Sequence, residues 1–188
     1  AITTASDGRI YYCLSSQDID VGGQLYAYDP SSDEIEHLGD LTKICGEAGS
    51  KAIPQGKVHT NFYERGGKLY FATHAGYYEM IDGMETMVQN PPEGYELYPG
   101  GHILSYDLST GEFEDLAIAP DGEAIVTMTM DEERGHIYAI SWPYGYFLHY
   151  DLGKDKLKNL GKISANGEAG TPGEDYRVLC RSMFVDPK

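Results

Sequence analysis

Six histidines punctuate the 188-residue chain, and three of them, His59, His74 and His102, fall near the ends of alternating, strand-like segments. An imidazole has an ordinary pKa close to neutrality, so it suits proton transfer to or from a bound molecule, and it also ligates metals. Arg177 and Arg181 stand together in YRVLCRSMF, and their guanidinium forks match a carboxylate or a sulfate. Lys57 opens the segment that carries His59 and adds a second positive charge. Trp142, Pro143, Tyr144 and Tyr146 form an aromatic patch of the kind that stacks on sugar faces, and Tyr77 follows closely on His74. Acid–base chemistry beside a bound anion is what such a set could do. A divalent metal stays open as well, with His59, His74 and His102 as ligands and Glu79 or Asp82 nearby, although no short ligand spacing supports it. The plain alternatives are ordinary polar histidines and arginines paired with some of the 30 acidic residues. The chain has no phosphate-binding loop, dinucleotide fingerprint or nucleophile elbow.

The elements that must position these residues form an internal repeat. GGQLYAYDP at 22–30 returns as GGHILSYDL at 100–108 and YGYFLHYDL at 144–152, each with a Leu nine residues after its Asp. A second segment recurs as GRIYYCLS, GKLYFATH and GHIYAISW, placing Tyr11, Tyr70 and Tyr138 three residues after their glycines. Upstream, Phe62 and Met130 both fall five residues before that glycine, and GEAG appears at 46–49 and at 167–170. Tight a–b turns and short Asp-led c–d turns separate four strands per unit. The fold class expected is all-β: a β-propeller of about three four-stranded antiparallel blades. Blade 1 covers about 1–39 and lacks most of its first strand, blade 2 about 57–117, blade 3 about 124–161, and the first strand of a fourth about 177–185. A β-sandwich of hairpins would not call for three near-equal units.

Three blades make an incomplete ring. The offsets place Ala1 within a first strand and leave 177–184 without its following strands. The chain is therefore expected to be part of a propeller of six to eight blades, or to close a ring with another copy. Strand 177–184 is expected to pair with residues 9–15 of this or another copy, or with a missing part of the polypeptide. The b–c and d–a connectors are long and share one face, notably 39–56, 75–101 and 161–176, and loops of that length are usually functional. His59, His74 and His102 all point to this face of one blade. Their repeat equivalents are Thr127 and Arg181, Ser15 and Trp142, and Gln24 and Tyr146, so the fold does not demand histidine there. Buried among tyrosines, the three imidazoles are expected to be neutral; if His59 and His74 are functional, alanine at either is expected to leave folding nearly intact, whereas core histidines would cost about 1–3 kcal/mol on removal.

Composition sets the outer limits. With 14 basic and 30 acidic residues the net charge is −16, which speaks against a general nucleic-acid binder. No apolar run reaches the roughly 20 residues of a membrane span. Cys13, Cys45 and Cys180 are too few and scattered for a disulfide framework and leave the redox compartment open.

The Y-D-x-x-(S/T)-x-E-x-x-x-L-G pattern after G-x-L-Y resembles kelch-like propellers over almost the whole chain. Within one blade, K-V-H-T-N-F followed by G-K-L-Y-F-A-T-H-A-G-Y is similar to inner-blade segments of propeller polysaccharide lyases of the ulvan and oligogalacturonate types. That resemblance implies a β-elimination beside a uronate, with His59 or His74 as base or acid, Arg181 neutralising the carboxylate, and Tyr146 or Tyr77 as a partner. Lys57, Tyr77, His102, Trp142, Tyr144 and Arg177 would bind the acidic glycan or small ligand. It also implies an extracellular or periplasmic location. A non-catalytic ligand-binding or assembly propeller fits the same acidic, tyrosine-rich chain, and the sequence leaves open whether it is an enzyme.

Overall fold

The computed structural model describes residues 1–163 and 180–186. Strands β1 (Ile2–Thr4), β2 (Ile10–Leu14), β3 (Gln24–Asp29) and β4 (Glu34–Asp40) pair in sequence order as one antiparallel sheet. Helix α1 (Leu41–Ile44) follows, its first amides Thr42 N and Lys43 N donating to the Asp40 carboxylate. The second sheet is preceded by β5 (Gln55–Lys57) and built from β6 (Tyr63–Arg65), β7 (Lys68–Ala72), β11 (His102–Asp107) and β12 (Phe113–Ile118). Between β7 and β11 lie β8 (His74–Ala75) and a small hairpin of β9 (Glu79–Ile81) and β10 (Met84–Thr86). A third antiparallel sheet takes β13 (Ala124–Asp131), β14 (His136–Trp142), β15 (Tyr146–Asp151) and β16 (Lys156–Lys162) in order. These are three blades of a β-propeller, all-β as the repeat requires, and the arc is not closed.

The repeated Tyr-Asp pair has a local cause. Asp29 Oδ1 accepts from Ser31 N and Oγ, Asp107 Oδ1 from Ser109 N and Oγ, and Asp151 Oδ1 from Gly153 N and Lys154 N. Each carboxylate thus nucleates the turn into the fourth strand of its blade. The preceding tyrosine clamps the far side of two turns: Tyr28 donates to Asp33 Oδ1 at 2.8 Å and Tyr150 to Asp155 Oδ1 at 2.5 Å. Those aspartates hold positive φ values of 59° and 49°, and Gly111 takes the corresponding place in the middle blade at 74°.

Register confirms the alignment of the tyrosines. Tyr11 pairs with Ala27, Tyr70 with Ser105 and Tyr138 with His149, while Tyr28, Tyr106 and Tyr150 pair with Ile10, Leu69 and Ile137. Side chains opposite one another across a ladder share a face. One core cluster joins the first and second blades through Tyr11, Leu25, Phe71, Leu104 and Tyr106, and a second joins the second and third through Tyr70, Ile103, Leu148 and Tyr150.

Two expectations need correcting. Tyr63 pairs with Tyr70 and Thr129 with Tyr138, so Phe62 corresponds to Met128, not Met130. The a–b turns differ in length: Arg65 faces Lys68 across two residues, and Asp131 faces His136 across four. Nor is segment 9–15 a bare edge awaiting 177–184. β1 already occupies it, with Ile2, Thr3 and Thr4 opposite Tyr12, Tyr11 and Ile10. Residues 180–186 form no strand, and 177–179 lie outside the described residues.

Candidate functional site

The first strand of the middle blade is split. β5 pairs with β8, setting Lys57 opposite His74, and β6 pairs with β7, while residues 58–62 leave the ladder. Thr60 bridges the gap: its hydroxyl accepts from Ala72 N at 3.0 Å, in place of a backbone carbonyl. β5 is pressed close to the chain after β8, since a Cβ on Gly56 would lie 2.1 Å from Gly76 Cα. The split therefore carries His59 out of the sheet beside His74, and the close approach fixes Lys57 next to both.

The result is a cleft of about 380 Å³ lined by Lys57, His59, His74, Tyr78, Trp142 and Arg181, with Met84 and Glu85 of β10 on its rim. The rings of His59 and His74 meet edge to face with centroids 4.6 Å apart, and Trp142 stands 5.6 Å from His74. Lys57 Nζ sits 4.3 Å from the centre of the Tyr78 ring. Among the described residues neither Lys57 nor Arg181 enters an ion pair.

Electrostatics follow from this crowding. His74 is buried, and Nδ1 lies 3.1 Å from Ile125 O; a carbonyl only accepts, so Nδ1 carries the proton and Nε2 keeps its lone pair. Burial, and then His59, push its pKa well down, so the ring is neutral. Desolvation, and then the charges of Lys57 and Arg181, lower His59 to about 4. The His59 side chain is nonetheless exposed, so water screens part of the desolvation and the two cations keep the direction downward. Burial also lowers Lys57, against the opposing pull of Glu85.

His102 does not join this pair. It lies at the same end of the blade, but its side chain faces the first blade while His74 faces the third. Its Nδ1 lies 2.8 Å from Asp115 Oδ2 and its Nε2 2.8 Å from Glu47 Oε1. Burial alone would lower its pKa, but the two carboxylates outweigh that and raise it to about 9. The expectation of a neutral ring thus fails here, because both nitrogens have acidic acceptors. Glu47, from the first GEAG segment, also accepts from the buried Gln55 amide, whose oxygen accepts from Thr73 and Tyr98. His102 is therefore part of a buried network. With its nitrogens committed, the three histidines do not converge as ligands, and no cluster fit for a metal ion occurs among the described residues.

Of the other candidates, Lys57, Trp142 and Arg181 line the cleft with His59 and His74. Tyr144 and Tyr146 do not: Tyr146 donates to Asp121 at 3.1 Å, and Tyr144 borders a smaller pocket with Glu123. Tyr77 packs beside a satellite core of Met87, Val88, Tyr98 and Trp142, and Arg177 lies outside the described residues. The sequence reading missed Tyr78 and Glu85. Tyr78 carries a usable signal, since it is four residues beyond His74 in the same Gly-Tyr-Tyr run.

No family model and no curated protein matches this chain. Among solved structures it is similar to an extracellular domain assigned to a one-component system of B. thetaiotaomicron, at 16% identity and a TM-score of 0.53, covering 89% of this chain and 18% of that one. Weaker likenesses are TolB from Acinetobacter baumannii (14% identity, TM-score 0.48, 89% and 33%) and YjhT (16%, 0.49, 88% and 53%). The first of these supports the β-propeller fold and nothing finer. The chain thus spans between about a fifth and about a half of the length of these structures. No helix of the described residues is long and apolar enough to cross a membrane.

Proposed function

We propose that the chain is a carbohydrate-active propeller segment whose cleft binds an acidic sugar and acts on it by β-elimination, as the resemblance to polysaccharide lyases implies. The observation that carries this reading is the meeting of two cations with two neutral imidazoles in one cleft of a protein with a net charge of −16. Lys57 and Arg181 would hold the carboxylate and stabilise the charge that builds on it as the neighbouring proton leaves. His59, the more exposed ring, would take that proton, with His74 next to it. The C–O bond on the adjacent carbon then breaks, a carbon–carbon double bond forms, and the proton passes to the leaving oxygen. Trp142 and Tyr78 offer faces for the sugar ring.

The double bond conjugated to the carboxylate absorbs in the ultraviolet, so incubation with uronate polymers tests the reading directly. Rising absorbance that is lost in His59→Ala and Arg181→Ala supports it; no absorbance change across a panel of uronate polymers excludes catalysis.

A second reading is a binding module without turnover. It is favoured by Trp142 and the Tyr78 ring packing around His74, which leaves that imidazole little room to move. Calorimetric binding of uronate oligomers without new absorbance would select it. An extracellular or periplasmic setting, with the remaining blades or another copy closing the ring, accords with either reading.

A further inference from the structure

The cleft carries one charge that the proposed chemistry does not use. Among the described residues that line it, Glu85 is the sole carboxylate, in a chain with 30 acidic residues. Its position is held from two sides. β9 and β10 pair Ile81 with Met84 around Asp82 and Gly83, whose φ values of 50° and 81° suit a two-residue hairpin turn. Thr86 Oγ1 ties the two strands further by donating to Glu79 O at 3.2 Å. Gln17, in the connector between β2 and β3, also lines the cleft and donates from Nε2 to Glu85 Oε1 at 3.3 Å.

Glu85 does not neutralise the cations by contact. Among the described residues no ion pair joins it to Lys57 or Arg181. Burial lowers the Lys57 pKa most, and Glu85 opposes that from beyond ion-pair distance. Lys57 is 7% exposed, whereas Glu85 stands exposed at the rim. A ligand entering the cleft meets a carboxylate at the mouth and a lysine further in.

We infer that Glu85 is the specificity-determining residue of this cleft and selects unsulfated uronates over sulfated ones. The inference rests on the uronate reading above and narrows it. The carboxylate of the sugar reaches Lys57 and Arg181, while the part left at the rim faces Glu85 and Gln17. A sugar hydroxyl there donates to the Glu85 carboxylate, which only accepts. A sulfate ester at the same place holds a fixed negative charge, has no proton to give, and is repelled. An acidic sugar with free hydroxyls satisfies both ends of the cleft.

Calorimetry at one ionic strength tests this, with hexamers of galacturonate and of chondroitin, each in unsulfated and sulfated form. The wild type should bind the unsulfated member of a pair at least about tenfold more tightly. Glu85→Gln keeps an acceptor oxygen and loses the charge. It should change affinity for the unsulfated member by less than about threefold and cut the preference to about twofold or less. Glu93→Gln removes an exposed carboxylate of the same insertion that does not line the cleft, and it should leave the preference unchanged. Matched melting curves of the two variants keep folding out of the comparison. Equal narrowing in both variants overturns the inference, because net charge would then be the selector. An unchanged preference in Glu85→Gln, or a wild type that favours the sulfated member, also overturns it and leaves uronate binding standing. No binding of any hexamer overturns the uronate reading and the inference with it.

Discussion

His59 and His74 meet edge to face at 4.6 Å, one ring exposed and the other buried, across the break in the first strand of the middle blade. The difference in burial separates the two in a way their shared location does not. His74 Nδ1 donates to Ile125 O, so alanine there removes a buried hydrogen bond and opens a void beside Trp142. His74→Ala should cost about 2–3 kcal/mol in urea denaturation, whereas His59→Ala should stay within about 0.5 kcal/mol. Sequence reasoning treats the two alike; equal losses in both variants would show that the burial argument is wrong.

Thr60 is the residue that makes the break tolerable. It is 2% exposed, and its hydroxyl stands in for the missing strand against Ala72 N. Thr60→Val keeps the shape and removes the acceptor, leaving a buried amide unpaired. The expected loss is about 1–2 kcal/mol, with Thr60→Ser recovering most of it. Equal stability of the Val and Ser variants would contradict this role.

The legible part of the fold is what repeats. Tyr28, Tyr106 and Tyr150 recur because each precedes an aspartate that nucleates a turn, and a turn of that kind constrains the local sequence. Strand positions follow from those anchors, except where the turns differ in length: counting back from the glycine sets Phe62 against Met130, two residues beyond its true counterpart Met128. The site was legible in part. Spacing brought His59 and His74 to one end of one blade, since strand polarity alone does that. Which face of the sheet a side chain takes depends on bulges and on what packs there. His102 turns to Glu47 for that reason, and Glu47 lies 55 residues away in sequence, beyond any local pattern.

His102 gives a pH dependence with a definite sign. Its pKa rises from an ordinary 6.5 to about 9 in the folded state, so folding favours the protonated ring. The stabilisation is fully present below pH 6.5 and is lost as pH rises through 9, and it should amount to on the order of 2–3 kcal/mol. Urea midpoints should fall across that window in the wild type. His102→Gln should be less stable at pH 6 and flatter up to pH 9; an unchanged slope would mean that the ring is not the titrating group.

Glu123 acts in an adjoining window. The side chain is 1% exposed, and its Oε2 accepts from Ser141 Oγ at 2.7 Å and Tyr144 N at 2.8 Å, which ties the start of β13 to the turn after β14. Burial raises its pKa from 4.5 to about 7, against the lowering by those hydrogen bonds. The folded state therefore prefers the protonated acid, and its contribution is fully present below pH 4.5 and lost as pH rises through 7. Glutamine keeps an oxygen for Ser141 and Tyr144 and never ionises. Glu123→Gln should thus match the wild type near pH 4.5 and exceed it at pH 8 by on the order of 1–3 kcal/mol. The check is a pair of urea titrations at those two pH values. A variant less stable than wild type at pH 8 would show that the charged carboxylate is favoured where it lies, and that its hydrogen bonds outweigh its burial.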